Sequence, residues 1–320
     1  MMAQYLGIEI GGTKLQVGIG PGNGTLSGIW RGAVDVAAGP AGIRKQITEA
    51  VPELLARSGI GRSQIAGVGI GFGGPVDDAS RAIIKSHQIE GWDDFPLADW
   101  VTKMLGWPAV LGNDADVAGL AEALFGAGKG LSPIFYITIG SGIGGGLIIN
   151  GEIYRGSGRG AAEIGHLRLT WIEGDAIQQR PLEEYASGWA IGQRATLIKD
   201  SKVLPHIDGE GQQITSEQVA HAAEEGDPCA LWVLNQTWPY LAEGICQMIT
   251  LVCPRRIIIG GGVSLLGEQL LFEPLRQLVA SRVFAPFANC YDIVQASLGE
   301  EVVVHGALAL ACRRLQGGKG

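Results

Sequence analysis

The chain has 320 residues, 46% of them hydrophobic and 18% charged, which excludes a disordered polymer and leaves room for two domains with cores of their own. A formal net charge of -8 argues against a surface built to hold a nucleic-acid backbone, because such phosphates are met mainly by Lys and Arg. The five cysteines lack CxxC spacing, no basic leader with an apolar core opens the chain, and no long uninterrupted apolar run occurs; a soluble cytosolic protein with reduced thiols and no membrane partner is expected.

Residues 5 to 35 read as three strands. Tyr5 to Ile10 is an apolar run, Gly11-Gly12-Thr13-Lys14 is a turn, and Leu15 to Ile19 is the returning strand. Glycines in such a turn let backbone amides approach a phosphate without Cβ interference, and Thr13 and Lys14 add side chains able to contact its oxygens. Glu9, at the end of the first strand, is placed to orient a magnesium ion through water, against the plainer reading of a strand-end charge. Pro40 to Ser58 has helical spacing at Ile43, Ile47, Val51, Leu54 and Leu55, and Ile65 to Ile70 returns as a strand. Gly71-Phe72-Gly73-Gly74-Pro75 breaks it, either as a plain terminator or as a ligand contact at the end of a buried strand. Ser86 to Trp100 is polar, aromatic and irregular, hence a loop, with Gln88 a candidate hydrogen-bonding group and Trp92 a buried anchor rather than a stacking platform.

Val110 to Gly112 ends a strand, and Val117, Leu120, Ala121 and Leu124 then recur at helical spacing until Gly126, so Asn113-Asp114-Ala115-Asp116 sits at a helix N-terminus. Two readings compete there: a plain N-cap, and a general base whose ionised form the helix N-terminus favours. Both hold if Asn113 or Asp116 caps while Asp114 faces a cleft. Farther on, Ile137 to Ile139 is a short buried strand, Gly140, Ser141, Gly142, Gly144, Gly145 and Gly146 form a glycine turn, and Leu147 to Ile149 departs as a strand. Strand, glycine turn, strand differs from the strand, loop, helix order of dinucleotide folds and Walker loops. It repeats the N-terminal pattern about 130 residues later and points to a duplicated domain. Glu163 and His166, three apart, share one face of a helical turn. After Glu183 the chain is mostly helical: Thr215 to Gln218 has capping-box spacing, Gly226-Asp227-Pro228 ends that helix, Leu231 to Val252 carries a long apolar face with a kink expected near Pro239, and Val302 to Arg314 closes the chain as a helix.

The stretches GIEIGGTK, GVGIGFGGPVD, LGNDADVAGLAE, ITIGSGIGGGLIINGEIYRG, AAEIGH, LEEYASG and IIIGGGVS, in this order, resemble the ROK family of sugar kinases and repressors within the actin-like, hexokinase-type ATPase fold. The resemblance runs from Gly7 to the Ala-rich segment ending at Ala311. It implies an α/β fold of two actin-like (ribonuclease H-like) domains with mixed sheets flanked by helices and a nucleotide cleft between them. The first domain is expected over residues 1–115, closed by the C-terminal helix 302–316, and the second over 116–301. By resemblance, Gly11, Gly12, Thr13 and Lys14 match the first phosphate motif for ATP, Gly140, Ser141 and Gly142 the second, and Gly261 and Gly262 the adenosine motif. Asp114 matches the catalytic base, and Gly74, Gln88, Asn113, Glu163, His166 and Glu183 fall where the family places sugar contacts. Gln88 stands where an asparagine is common, and Glu9 where an aspartate is frequent, a longer carboxylate still able to reach magnesium through water.

A larger departure follows His166. Family members usually carry a CxCGxxGC cluster between this histidine and LEEYASG, which makes a structural zinc site; here LRLTWIEGDAIQQRP intervenes without a cysteine, so no structural zinc is expected. The function implied is ATP-dependent phosphorylation of a hexose hydroxyl, with Mg²⁺ as the counter-ion of ATP and glucose as the default acceptor; mannose, fructose or an N-acylhexosamine are alternatives within the family. A sugar-sensing repressor is the alternative of another class. Repressors of the family carry a helix-turn-helix domain ahead of the first phosphate motif, which here begins at Gly7. A sugar-binding pseudokinase is argued against by the retained Asp114 and glycines. A homodimer is common in the family, and the oligomeric state stays open.

Overall fold

The computed structural model describes residues 2–77, 79–86, 89–173, 176–200 and 213–316. Apolar runs that can be buried on both faces open the chain. β1 (Gln4–Ile10) and β2 (Lys14–Gly20) pair antiparallel around the first glycine turn, and β3 (Gly28–Ala33) extends them. α1 (Gly39–Ser58) has Pro40 in its first turn, where a missing N–H costs nothing, and ends at Gly59 with φ 66°, a left-handed cap that favours glycine. β4 (Ile65–Phe72) lies parallel to β1. A ribbon of β5 (Val76–Asp77) and β6 (Ala82–Ile83) follows, then α2 (Leu97–Leu105) and β7 (Ala109–Asn113), which lies parallel to β4 and runs directly into α3 (Asp114–Phe125). The loop expected up to Trp100 gives way to α2 at Leu97, because Leu97, Ala98, Val101 and Leu105 form a buried helical stripe. These strands make one mixed sheet in the order β3-β2-β1-β4-β7.

β8 (Ile134–Ile139) and β9 (Ile143–Ile149) flank the second glycine turn, and β10 (Glu152–Ile153) pairs with the end of β9. The turn is shorter than expected, since Gly144, Gly145 and Gly146 belong to β9. Their lack of a side chain serves close packing: a Cβ at Gly145 would stand 2.2 Å from the Ala162 carbonyl oxygen. β11 (Arg168–Glu173) and β12 (Ala176–Pro181) form an antiparallel hairpin. The helical part comprises α4 (Glu183–Ala186), α5 (Gly188–Asp200), α6 (Ser216–Glu224) and α7 (Pro228–Val252). The expected capping box is present at α6: the Gln218 N–H donates to Thr215 Oγ1 at 3.3 Å and the Thr215 N–H to Gln218 Oε1 at 2.9 Å. α7 passes through Pro239 as one helix of 25 residues. β13 (Arg256–Gly260), α8 (Glu273–Arg282), β14 (Ile293–Gln295) and α9 (Val302–Gln316) complete the chain.

The described residues cluster into two compact units, one of Met1–Gly130, Gly146–Ala161 and Ser297–Gly320, the other of Leu131–Gly145 and Ala162–Ala296. In the first, α9 packs on β1, β4 and α3. That approach is close enough that a Cβ at Gly69 would stand 1.8 Å from the Ala307 carbonyl oxygen. In the second, β13 lies parallel to both β8 and β14, and α7 packs against α8, α4, α5 and β11. Each unit is thus a sheet flanked by helices, the mixed α/β architecture expected. Among the described residues no helix is long and apolar enough to cross a membrane.

Candidate active site

In the first unit, parallel pairing aligns three strand ends. Ile10 of β1 registers with Phe72 of β4, and Phe72 with Asn113 of β7, so the loops that follow all leave from one edge of the sheet. The glycine turn is closed by the Gly11 N–H donating to the Lys14 carbonyl at 3.0 Å, and the Gly73 N–H donates to the Ile10 carbonyl at 2.9 Å, tying the second loop to the first. The third loop joins them where Asn113 Nδ2 donates to the Gly74 carbonyl at 3.1 Å. Gly11, Gly12, Thr13, Lys14, Gly74, Asn113 and Asp114 therefore share one sheet edge, the position at which open α/β sheets hold ligands. Gln88 lies outside the described residues.

Asn113 is the cap of α3, its Oδ1 accepting from the N–H groups of Ala115 at 2.9 Å and Asp116 at 3.2 Å. Asp114, half-buried, takes an N–H bond from Ala115 to its Oδ1 at 2.8 Å. Asp116 is fully buried and lies 3.9 Å from the equally buried Arg155 guanidinium. The role of Arg155 is not legible in the sequence, because an arginine after a glycine-rich hairpin carries no local signal of burial.

Glu9 is buried, with Oε1 3.1 Å from Lys14 Nζ and Oε2 without a hydrogen-bond partner. Burial pushes its carboxyl up from 4.5 to about 7, the Lys14 charge pulls it down, and the nearby charges of Asp114 and Glu300 push it further up. Lys14 also donates to the Glu300 carbonyl at 3.3 Å, which holds the ammonium over the turn. Among the described residues no group of three or more His, Cys, Asp or Glu is placed to hold a metal ion alone. Magnesium is commonly held by one or two carboxylates with substrate phosphates and water, and a buried carboxylate with one oxygen unengaged fits that requirement.

In the second unit, the parallel strands β8 and β13 end side by side, Gly260 opposite Thr138. The glycine turn Gly140-Ser141-Gly142 follows one and Gly261-Gly262 the other. Gly261 has φ 82°, and a Cβ there would stand 2.5 Å from the Ile139 carbonyl oxygen, so only glycine fits between the two ends. The Gly140 carbonyl accepts from the N–H of Gly188, fixing the turn against the start of α5. Glu163 precedes the single 3₁₀ turn Ile164–His166, and Gly165 brings that turn onto β9, a Cβ there meeting the Ile143 carbonyl oxygen at 2.0 Å. Glu163 and His166 are exposed, whereas Glu183 is half-buried. His166 Nδ1 lies 3.8 Å from Glu183 Oε1, and Glu183 Oε2 lies 3.5 Å from the Ile143 N–H beside the second glycine turn. His166 and Glu183 are thus brought together in space, a pairing that sequence spacing does not reveal.

The arrangement of glycine turns, a half-buried aspartate and a lysine-paired carboxylate suits phosphoryl chemistry, and comparison with known proteins agrees. The pattern of the ROK family matches residues 5–314. A glucokinase of Halalkalibacterium halodurans is 32% identical over 310 residues, spanning 94% of this chain and 93% of its own length. A glucokinase of Streptomyces coelicolor is 32% identical over 323 residues, spanning 97% of this chain and 98% of its own length. Among solved structures, a ROK family glucokinase from Streptomyces griseus in complex with glucose and AMPPNP superposes with a TM-score of 0.82 at 31% identity, covering 97% of this chain and 100% of that one. Motifs, relatives and fold agree along the whole length, and the chain belongs to the ROK family.

Proposed function

We propose that this chain is an ATP-dependent sugar kinase that phosphorylates a hexose hydroxyl, with glucose the preferred acceptor. The observation that carries the reading is its full-length likeness to a glucokinase solved with glucose and AMPPNP, in a chain that keeps a carboxylate, Asp114, at the strand-to-helix junction beside the first glycine turn. Phosphoryl transfer depends almost entirely on positioning and electrostatics. Asp114 accepts the proton of the sugar hydroxyl as its oxygen bonds to the γ-phosphorus; the bond from that phosphorus to the bridging oxygen breaks, and ADP leaves. Asn113 serves as cap and, through its bond to the Gly74 carbonyl, fixes the loop beside the aspartate. Gly74, Gln88, Asn113, Glu163, His166 and Glu183 supply the sugar contacts. The backbone amides of Gly11, Gly12, Gly140, Ser141 and Gly142, with Thr13 and the Lys14 ammonium, hold the phosphates, and Gly261 and Gly262 take the nucleoside. Magnesium, when bound, offsets the charge of the β- and γ-phosphates, and Glu9 would hold it.

The partner is a small-molecule sugar, in the cytoplasm, without nucleic acid or membrane; a homodimer is common in the family, and the oligomeric state stays open. A coupled assay with ATP and magnesium over glucose, mannose, fructose and N-acetylhexosamines tests the reading. Glucose is expected to give the highest kcat/KM, about tenfold above the others. A higher value for another sugar overturns the acceptor assignment, and no turnover of any sugar by folded, ATP-binding protein overturns the kinase assignment.

A further inference from the structure

Glu183 and His166 stand at the two ends of the β11–β12 hairpin, whose pairing from Arg168 opposite Pro181 to Glu173 opposite Ala176 closes the chain between them. Leu182, fully buried, closes the hairpin by donating its N–H to the Leu167 carbonyl at 2.8 Å and lies against Gly244 of α7, but the Glu183 side chain that follows it is itself lightly held. Ile177 is 74% exposed, α4 is a single turn without a side-chain cap, and the contact from Glu183 to the Ile143 N–H, at 3.5 Å, is too long to orient a carboxylate firmly. A set of rings also ties these pieces to α7. Trp171 of β11 lies 4.3 Å, centroid to centroid, from Tyr240 of α7. Tyr240 in turn lies parallel to Tyr185, with 4.4 Å between centroids and 4° between planes. Tyr185 is two residues beyond Glu183 on α4 and is itself buried. Arg194 completes the cluster, its guanidinium 5.6 Å from the Tyr240 ring centre while Nη2 donates to the Tyr185 carbonyl at 3.3 Å and Nη1 to Thr237 Oγ1 at 2.5 Å.

We infer that Tyr240 is a positioning residue for sugar recognition: by stacking on Tyr185 and meeting Trp171 at a tilt of 46° it fixes α4 and the β11–β12 hairpin, and through them the Glu183 carboxylate. The inference rests on the proposed reading of Glu183 as a sugar contact. Planar stacking suits the task because flat rings in contact restrict tilt, whereas an aliphatic filler of similar volume allows the helical turn to rock. Tyr240 lies on α7, outside the residues assigned to either reactant, so its removal should alter acceptor binding and leave the nucleotide side alone.

Steady-state kinetics with varied glucose and varied ATP test this on wild type, Tyr240→Phe, Tyr240→Leu, Trp171→Leu, Glu183→Gln and the double variant Tyr240→Leu/Glu183→Gln. Tyr240→Leu is expected to raise the glucose KM about tenfold with the ATP KM within about twofold, and Tyr240→Phe, which keeps the ring, to stay within about threefold of wild type. Trp171→Leu should shift the glucose KM in the same direction by a smaller factor. Because Tyr240 acts through Glu183, the double variant should show a glucose KM no higher than that of Glu183→Gln alone. A merely structural role would lower kcat with the folded fraction and leave both KM values unchanged; that result overturns the inference, as do multiplying effects in the double variant. If Tyr240→Leu does not accumulate, Trp171→Leu and its double variant with Glu183→Gln carry the same comparison from the hairpin side. Glu183→Gln with an unchanged glucose KM overturns the underlying site reading instead, and a raised glucose KM there with wild-type values for Tyr240→Leu overturns the positioning role alone.

Discussion

Asn113 and Asp114 are neighbours with different work. The Asn113 side chain takes both N–H bonds of the cap, from Ala115 and Asp116, while Asp114 shares only the Ala115 N–H through Oδ1 and stays at the positive end of α3. Asp114→Asn keeps the shape and removes the proton acceptor. Its kcat is expected to fall by ~10² to 10⁴, with a melting temperature close to that of wild type. Steady-state kinetics and a thermal melt on one preparation check this; a lowered melting point with kcat within a few fold of wild type would make Asp114 a helix-end residue only. Glu9 carries a second prediction, on pH. Its folded carboxyl titrates near 7 against 4.5 unfolded, so between these values the folded chain holds a proton that the unfolded chain has released. Stability contributed by this group is therefore lost as pH rises through that window, and the cost is complete above pH 7. Glu9→Gln, neutral at every pH, should be more stable than wild type at pH 8, by about 1 to 3 kcal/mol, and equal to it near pH 4. Urea unfolding at both pH values measures the difference; an equal gain at both sinks the assignment.

At the scale of elements, α3 is fastened at its far end as well. Glu122, fully buried, accepts from the N–H groups of Ala127 at 2.7 Å, Ser297 at 2.8 Å and Leu298 at 2.9 Å, and so binds the end of α3 to the segment that leads into α9. Glu122→Ala would remove the buried acceptor shared by three part-buried donors. The expected cost is about 1 to 3 kcal/mol, or roughly 2 to 12 °C in the melting of a unit of ordinary domain size, with the glucose and ATP KM values of the folded fraction unchanged. Calorimetry provides the check. The β11–β12 hairpin stands where the family resemblance places a cysteine cluster, and Trp171 packs on α7 through Tyr240. The purified protein is therefore expected to contain no stoichiometric zinc and to melt at the same temperature after dialysis against a chelator. Elemental analysis near one zinc per chain would refute this. Trp92 follows the plainer of its two readings: it is fully buried, edge-on to Phe72 at 5.7 Å and to Phe95 at 5.3 Å.

For the molecule as a whole, the strand and helix order was largely legible before any coordinates, because apolar periodicity, glycine turns and capping boxes are encoded within a few neighbouring residues. The two glycine hairpins, the sheet that each opens, the capped helix at Thr215 and the family membership all follow from such local patterns. Short-range patterns stop at the element. That β1, β4 and β7 end level, so that Gly11, Gly74 and Asp114 share one sheet edge, depends on register between strands distant in sequence. The near-neutral titration of Glu9 depends on how deeply the sheet buries it and on which charges pack around it. The meeting of His166 with Glu183, the Arg155–Asp116 pair and the ring cluster of Trp171, Tyr185 and Tyr240 likewise join residues with no local signal of contact. The amino-acid sequence by itself determined the elements and the kind of chemistry they carry; tertiary packing alone decided electrostatic environment and side-chain partnership, because burial and field are properties of what surrounds a group in space.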